Sequence, residues 1–524
     1  MTKDPSQAEI ELKFAIPPAQ LDALADALHR GKFRVQRLQA IYYDTADDWL
    51  AAQGLSIRLR KEGRRWVQTV KGLTTSSLRR LEHNVPRGLS SPELDLTLHD
   101  GTAAGAALHA AISGPAKRNH EPVLIERFRI EIVRTARTER IGEANANAKA
   151  NVDPEWDAGE LMGACVEVAL DIGTIRAGAR STAICEFEME LKSGTVADLI
   201  ALAQTWVARH GLWLSTVSKA QRGARLLGER SVEHPVHAVT PVIDESAGRA
   251  GFLAATLESC LVQILSNASE VGAGALDAQF VHQLRVGLRR TRTALRELRG
   301  FAAGIDPSWE TTFARVFRAL GAHRDIEIVI PAILKEMSAA GLECAFEPAH
   351  AHDIASTQDV VRAPDFQSSL LAVLAFCHAP PKLIQSEKGA AKQLRRKVAQ
   401  RLARLHARLA RDAKVFSKLS PARQHSVRKR LKRLRYLSEF AAPLFDAERV
   451  HRSLQSWREA QDALGQCNDY RVGLAALRLD AQNGRCAKPG LRWLATRIEI
   501  SVKRCARALR DAAKRAVFWA DIDE

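Results

Sequence analysis

The chain has no apolar run long enough to span a bilayer, no CxxC pair among its eight cysteines, and only four tyrosines in 524 residues. Without roughly 20 consecutive apolar residues, no membrane-spanning helix is expected. The opening residues, MTKDPSQAEIELK, carry no apolar signal core, so export is not expected and a cytoplasmic location is. The cysteines, at 165, 185, 260, 344, 377, 467, 486 and 505, are scattered. In that compartment they read as reduced thiols rather than a disulfide framework. With so few aromatics beside the basic residues, there is little on which nucleobases could stack.

Charge is abundant and unevenly placed. The net charge is +17, but residues 1–230 hold 31 Lys and Arg against 29 Asp and Glu, whereas residues 231–524 hold 46 against 31. A near-neutral half is therefore joined to a basic half that should attract a polyanion. The hydrophobic period changes at the same place. Before residue 228, apolar residues alternate with polar ones in eight short segments, near 9–14, 39–44, 56–60, 66–71, 80–85, 127–132, 166–172 and 185–191. That is the period of strands. Helical patterns interrupt them after the first strand, near 93–111 and at 196–211. The polar stretch 138–163 reads as a long loop. Residues 228–247, with two prolines and no periodicity, read as a linker. Beyond it the helical period holds to about 517, broken near 300–308, 341–366, 378–391 and 480–490.

In the strand half one parity collects the charge. It places acids at Glu9, Glu11, Glu82, Asp171, Glu188 and Glu190, and cations at Lys13, Arg58, Arg60, Lys71, Arg80, Arg127 and Arg129. On a single strand this would be a solvated outer face. On nearly every strand, opposite an apolar face that helices can cover, it suggests a closed sheet with the charge inside. A lumen of both signs is costly when empty. It becomes stable around a multiply charged anion with divalent cations, because Arg and Lys match phosphate oxygens and carboxylates hold Mg²⁺ or Mn²⁺. The pattern asks for a polyphosphate and a metal.

Glu9-x-Glu11-x-Lys13 resembles the ExExK signature of the CYTH superfamily, the triphosphate tunnel metalloenzymes. YYDT at 42–45, SIRLR at 56–60, QTVKG at 68–72, RRLE at 79–82, VEVALDIG at 166–173, CEFEMELKSG at 185–194 and SKAQRG at 218–223 follow in order. The resemblance covers residues 1 to about 227 and is nearest to the bacterial inorganic triphosphatases. It implies an eight-stranded antiparallel β-tunnel hydrolysing inorganic triphosphate to diphosphate and phosphate with Mg²⁺ or Mn²⁺. It also implies that Glu9 and Glu11 bind metal, with Glu188 and Glu190 opposite and Glu82 and Asp171 assisting. Lys13, Arg58, Arg60, Lys71 and Lys219 would grip the phosphates, joined by Arg80, Arg127 and Arg129 on parity. Glu9, Glu11 and Lys13 would carry catalysis. Which of Glu186, Glu188 and Glu190 hold metal stays open, and Lys192 reads equally as a solvated strand end.

The helical half repeats itself. His282, Arg285, Arg289 and Arg292 recur 143 residues later as His425, Arg428, Lys432 and Arg435, and Leu320-Gly321 with Asp325 recurs after 144 as Leu464-Gly465 with Asp469. Spacings of i, i+3, i+7 and i+10 line one helix face. Two matched rows suggest a duplicated bundle with a shared anion groove. These residues resemble the CHAD domain, the conserved-histidine α-helical domain, which implies binding of inorganic polyphosphate.

The expected architecture is α+β: a tunnel domain over 1–227, a linker over 228–247, and a helical domain over 248–517 with repeats near 250–375 and 390–515. The expected partners are triphosphate and polyphosphate, with neither membrane nor nucleic acid. A polyphosphate-targeted binding protein with little catalysis, or a tunnel acting on thiamine triphosphate or ATP, are the competing readings.

Overall fold

A computed structural model describes residues 9–72, 77–90, 93–113, 123–141, 163–228, 234–275, 277–344, 346, 355–378, 389–482 and 488–520. It divides into two compact units. The first comprises Met1–Val236 with Leu265–Ala273 and Arg362–Ala379, and the second His237–Ile264, Gly274–Val361 and Pro380–Glu524. The first unit thus draws on helical residues beyond the expected linker.

Each alternating segment forms a strand: β1 Glu9–Ala15, β2 Phe33–Asp44, β3 Leu55–Glu62, β4 Arg65–Gly72, β5 Arg79–Gly88, β6 Ile125–Ile141, β7 Ala164–Ala177 and β8 Arg180–Ser193. A two-residue β9, Trp213–Leu214, follows. The order is β5-β4-β3-β2-β6-β7-β8-β1, every pairing is antiparallel, and β9 adds to β1. β1 also meets β5, with Glu9 opposite Arg80 and Ile10 opposite Arg79. That last pairing closes eight strands into a barrel and leaves no long open edge.

Helices cover the apolar outer face. They are α1 Leu21–Leu28, α2 Trp49–Ala52, α3 Ala103–Ile112 and α4 Val196–His210. Leu55, Ile57 and Val70 pack with Leu50 of α2 and with Ala104 and Leu108 of α3. Phe187 of β8 lies 4.8 Å from Trp206 of α4, ring centre to ring centre. A capping box starts α4, Thr195 and Asp198 each binding the other's backbone N–H.

Helix α5, Lys219–Leu227, packs against the barrel interior instead. Its Ala220, Leu226 and Leu227 sit on a cluster of Leu38, Ala40, Tyr42, Phe128, Ile130, Ile132, Ile175, Ala177 and Ile184. Gly223 permits this approach, since a Cβ there would stand 2.2 Å from the Phe128 ring.

The second unit is helical. In chain order the remaining helices are α6 Gly248–Ala273, α7 Ala278–Glu297, α8 Pro307–Arg324, α9 Ile330–Ala339, α10 Thr357–Arg362, α11 Pro364–His378, α12 Ala390–Val415, α13 Pro421–Ala441, α14 Ala447–Gln482 and α15 Lys488–Lys514, of which α11 and the Leu265–Ala273 end of α6 belong to the first unit. Within the unit α7 packs on α8, α13 on α14, and α7 on α13, so the duplicated pairs meet. Between α8 and α9, one π-helical turn runs from Asp325 to Val329. The sequence break expected at 341–366 contains α10. Cys165, Cys185, Cys260, Cys377, Cys467 and Cys505 are free thiols. Cys344 is disulfide-bonded, which corrects the expectation that all eight are reduced.

Candidate functional site

The interior of the barrel is built by alternation along β1, β3, β4, β5, β7 and β8. Glu9, Glu11 and Lys13 of β1 share a face, with Glu11 opposite Glu190 and Lys13 opposite Glu188. On the β4–β5 side Lys71 pairs with Glu82 and lies 3.5 Å from Glu9. Burial pushes the Glu9 carboxyl up to about 9, against the pull of Lys71 and aided by a hydrogen bond to Glu82 and the charges of Glu82 and Glu11. Glu82 moves the opposite way. Burial opposes its ionisation, but Lys71, the Glu9 hydrogen bond and Arg58 hold it well down. The two carboxylates thus lean in opposite directions around the same Lys71.

The acids of β7 and β8 are held by fixed cations. Asp171 is fully buried and accepts two 2.7 Å hydrogen bonds from Arg134. Lys219, the first residue of α5, reaches Asp171 at 2.8 Å, Glu186 at 2.9 Å and Glu188 at 2.7 Å. Arg134 also pairs with Glu188, Arg222 with Glu186 at 3.0 Å, and Lys192 with Glu190. Lys13 donates to the Val217 carbonyl at 2.7 Å and lies 3.9 Å from Glu186. Arg58 donates to the Tyr42 hydroxyl at 2.9 Å, and Arg60 pairs with Glu62.

The barrel thus brings together Glu9, Glu11, Lys13, Arg58, Arg60, Lys71, Glu82, Asp171, Glu188, Glu190 and Lys219. Arg80 lies on β5, but its side chain is outside the described ones. Arg127 and Arg129 are not brought in. Arg127 binds Asp48 through bonds of 2.9 and 3.1 Å, and Arg129 pairs with Glu126 and is mostly exposed. The expected parity of β6 is therefore corrected: Phe128, Ile130 and Ile132 face inward because α5 lays apolar side chains on that part of the interior. Arg134 shares their face and was missed, since on the sequence it falls with the apolar parity. The β6–β7 register, Arg134 opposite Asp171, identifies it.

Among the described residues no three His, Cys, Asp or Glu side chains stand together as a ready-made metal site. The donors present nevertheless fit a hard divalent cation. They are all carboxylate oxygens, and Glu9 and Glu82 meet around Lys71 on the face that carries Glu11.

In the second unit α7 and α13 carry the two basic rows. Arg285 is buried, and a cation-lowering environment of burial and Arg289 brings it down to about 10 despite Asp325. Lys432 is buried as well. Burial and then Arg289, Arg428, Arg435 and Arg324 hold its ammonium well below the ordinary lysine range. Burial and the same cations, Arg324 and Arg289 first, lower His282. His425, lowered chiefly by burial, lies 3.2 Å from the Asn468 side-chain oxygen. Arg292 pairs with Glu310 at 3.0 Å and Arg435 with Glu439. Cations from both repeats thus crowd together, and among the described residues the buried Nε atoms of Arg285 and Arg428 have no hydrogen-bond partner. Such a cluster calls for an anion.

Among the described residues no helix is long and apolar enough to cross a membrane. Residues 7–224 match the CYTH domain and residues 255–478 the CHAD domain. The inorganic triphosphatase of Haemophilus influenzae is 31% identical over 230 residues, covering 42% of this chain and 55% of that protein. The chain therefore spans about half the length of this curated relative. The CHAD domain of the plant Ricinus communis is similar at 23% identity, over 55% of this chain and 98% of that one, with a TM-score of 0.42. A Hippeastrum protein described under adenylyl cyclase, with a dominant triphosphatase activity, is similar at 18% identity over 43% of this chain and 99% of that one, with a TM-score of 0.28. The chain carries a CYTH domain followed by a CHAD domain.

Proposed function

We propose that the barrel hydrolyses inorganic triphosphate to diphosphate and phosphate with Mg²⁺ or Mn²⁺, and that the basic helical cluster binds inorganic polyphosphate. The observation that carries the first part is the grouping of Glu9 and Glu82 around Lys71, on the face that also carries Glu11 and Arg58 inside a closed barrel. A divalent cation held there by Glu9, Glu11 and Glu82 would neutralise the phosphate chain and favour attack by water. Arg58, Arg60, Lys71 and Lys13 bind phosphate oxygens and orient the chain. Glu188, Glu186 and Asp171 act chiefly on Lys219 and Arg134, fixing those two cations toward the lumen. A glutamate left ionised accepts the proton of the attacking water.

The basic cluster supports polyphosphate over nucleic acid because its cations are packed among themselves with few exposed aromatics, and a phosphate chain needs charge without a stacking platform.

Phosphate release measured across triphosphate, longer polyphosphates, ATP and thiamine triphosphate, with each metal, tests the reading. Triphosphate should be preferred, and Glu11→Gln should abolish turnover with the fold intact. Metal-dependent activity retained in that variant would sink the assignment. A second reading, a polyphosphate-binding protein with little catalysis, is favoured by the lumen acids Glu82, Asp171, Glu188 and Glu190 being already paired with Lys71, Arg134, Lys219 and Lys192. Polyphosphate binding without phosphate release would select it.

A further inference from the structure

The two repeats of the basic cluster match closely, so the positions where they differ are informative. At the 144-residue offset Arg324 corresponds to Asn468, and Phe317 to Gln461. In the second repeat these are neutral amides that orient the row. Asn468 meets His425, and the Gln461 oxygen accepts from Arg435 Nε at 2.9 Å.

The first repeat is organised differently. Arg285, Arg289 and Arg292 lie 4.6, 5.0 and 5.7 Å from the centre of one ring, that of Phe317. Arg285 also lies 3.4 Å from the Phe317 carbonyl. Gly321 admits Arg285, since a Cβ at that position would stand 2.6 Å from its guanidinium. Arg324 is set between acids of both repeats, 3.5 Å from Asp325 and 3.8 Å from Asp469. Those separations exceed a good hydrogen bond, so the carboxylates fix the guanidinium without consuming its five donors. The surroundings remain over-positive. Among the described residues Arg289, Arg428 and Lys432 show no ion pair, and two aspartates cannot balance them.

We propose that Arg324 is a phosphate-binding residue that only the first repeat supplies, and that Phe317 is the positioning residue that gathers Arg285, Arg289 and Arg292 beside it. The ligand class is a linear chain of phosphates, and the inference rests on the polyphosphate reading above. The cluster binds that chain unevenly, with its stronger half in the first repeat.

The test replaces each residue with its counterpart in the other repeat. Binding of long-chain polyphosphate to the full chain is titrated at several salt concentrations. Arg324→Asn should weaken binding about tenfold or more, as expected for loss of a charged hydrogen bond. It should also make the salt dependence shallower by about one counterion. Arg324→Lys should keep the salt dependence and lose part of the affinity. Phe317→Gln should weaken binding with the salt dependence unchanged, and Phe317→Tyr should restore it. Wild-type affinity and salt dependence in Arg324→Asn would make Arg324 a brace between the repeats and overturn this inference alone. A wild-type chain that does not bind polyphosphate overturns the reading of the cluster as well. Tighter binding of a single-stranded oligonucleotide of equal charge overturns the ligand class.

Discussion

Arg134 and Asp171 stand directly opposite one another in the β6–β7 register and share two hydrogen bonds of 2.7 Å. The pair ties the β6 wall to the acids of β7 and β8, because Arg134 also reaches Glu188. Arg129, five residues earlier, has the opposite parity and pairs with Glu126 outside. Arg134→Ala should therefore lower triphosphate turnover by about 100-fold or more, in the range of losing a positioned charge in a closed site. Arg129→Ala should leave turnover and melting temperature nearly unchanged, as exposed pairs contribute about 0–1 kcal/mol. Equal losses in the two variants would overturn the assignment of faces on β6.

Asp171 is fully buried with Arg134 and Lys219 against it. Asp171→Ala leaves two cations facing one acid fewer. Breaking a buried network in this way costs about 3–5 kcal/mol. Denaturant unfolding followed by β-sheet signal should show the loss, and an unchanged midpoint would contradict it.

Gly223 lets α5 rest on Phe128. Gly223→Ala should destabilise the first unit by about 1–3 kcal/mol through overpacking. Combining it with Phe128→Leu should recover part of that loss. A melt in which the single variant behaves as wild type would mean that α5 does not occupy this position in solution.

Polyphosphate affinity should depend on pH. His282 and His425 are held below the ordinary histidine range, His282 by burial and then Arg324, Arg289, Arg285 and Lys432, and His425 by burial and then Lys429 and Arg428. Lys432 is held below the lysine range by burial and then Arg289. A bound polyanion favours the charged form of each, so binding takes up protons and affinity falls as pH rises. The histidines act as pH drops below about 6.5, and Lys432 acts as pH drops below the ordinary lysine value of about 10.5. Titrations at fixed salt should show tighter binding toward acid pH, with the acid limb flattened in the His282→Gln, His425→Gln double variant. A pH-independent affinity would rule this linkage out.

Much of this protein is legible in the chain. Alternation is a local property, so all eight barrel strands could be placed from side-chain period alone. Lys13 and Glu188, Glu11 and Glu190, and Lys71 and Glu82 then face one another as the alternation implies. The duplicated rows of the helical half were visible as a repeat, because a helix face recurs at fixed spacing.

Parity, however, separates two faces without saying which one is inside. Along β6 that choice depended on α5, some 90 residues later in the chain, whose apolar residues turned Phe128, Ile130 and Ile132 inward and sent Arg127 and Arg129 out. Arg134 could be recognised only through its partner across the β6–β7 ladder. Likewise Arg324 looks ordinary in sequence until the two repeats meet and Asp469 comes within 3.8 Å of it. By itself the sequence determined the eight barrel strands, the helical character of the second half, the duplication and the charged set on β1. Tertiary packing decided which side chains of β6 share the lumen and how the cations are divided among the acids, because those outcomes depend on what each face is pressed against.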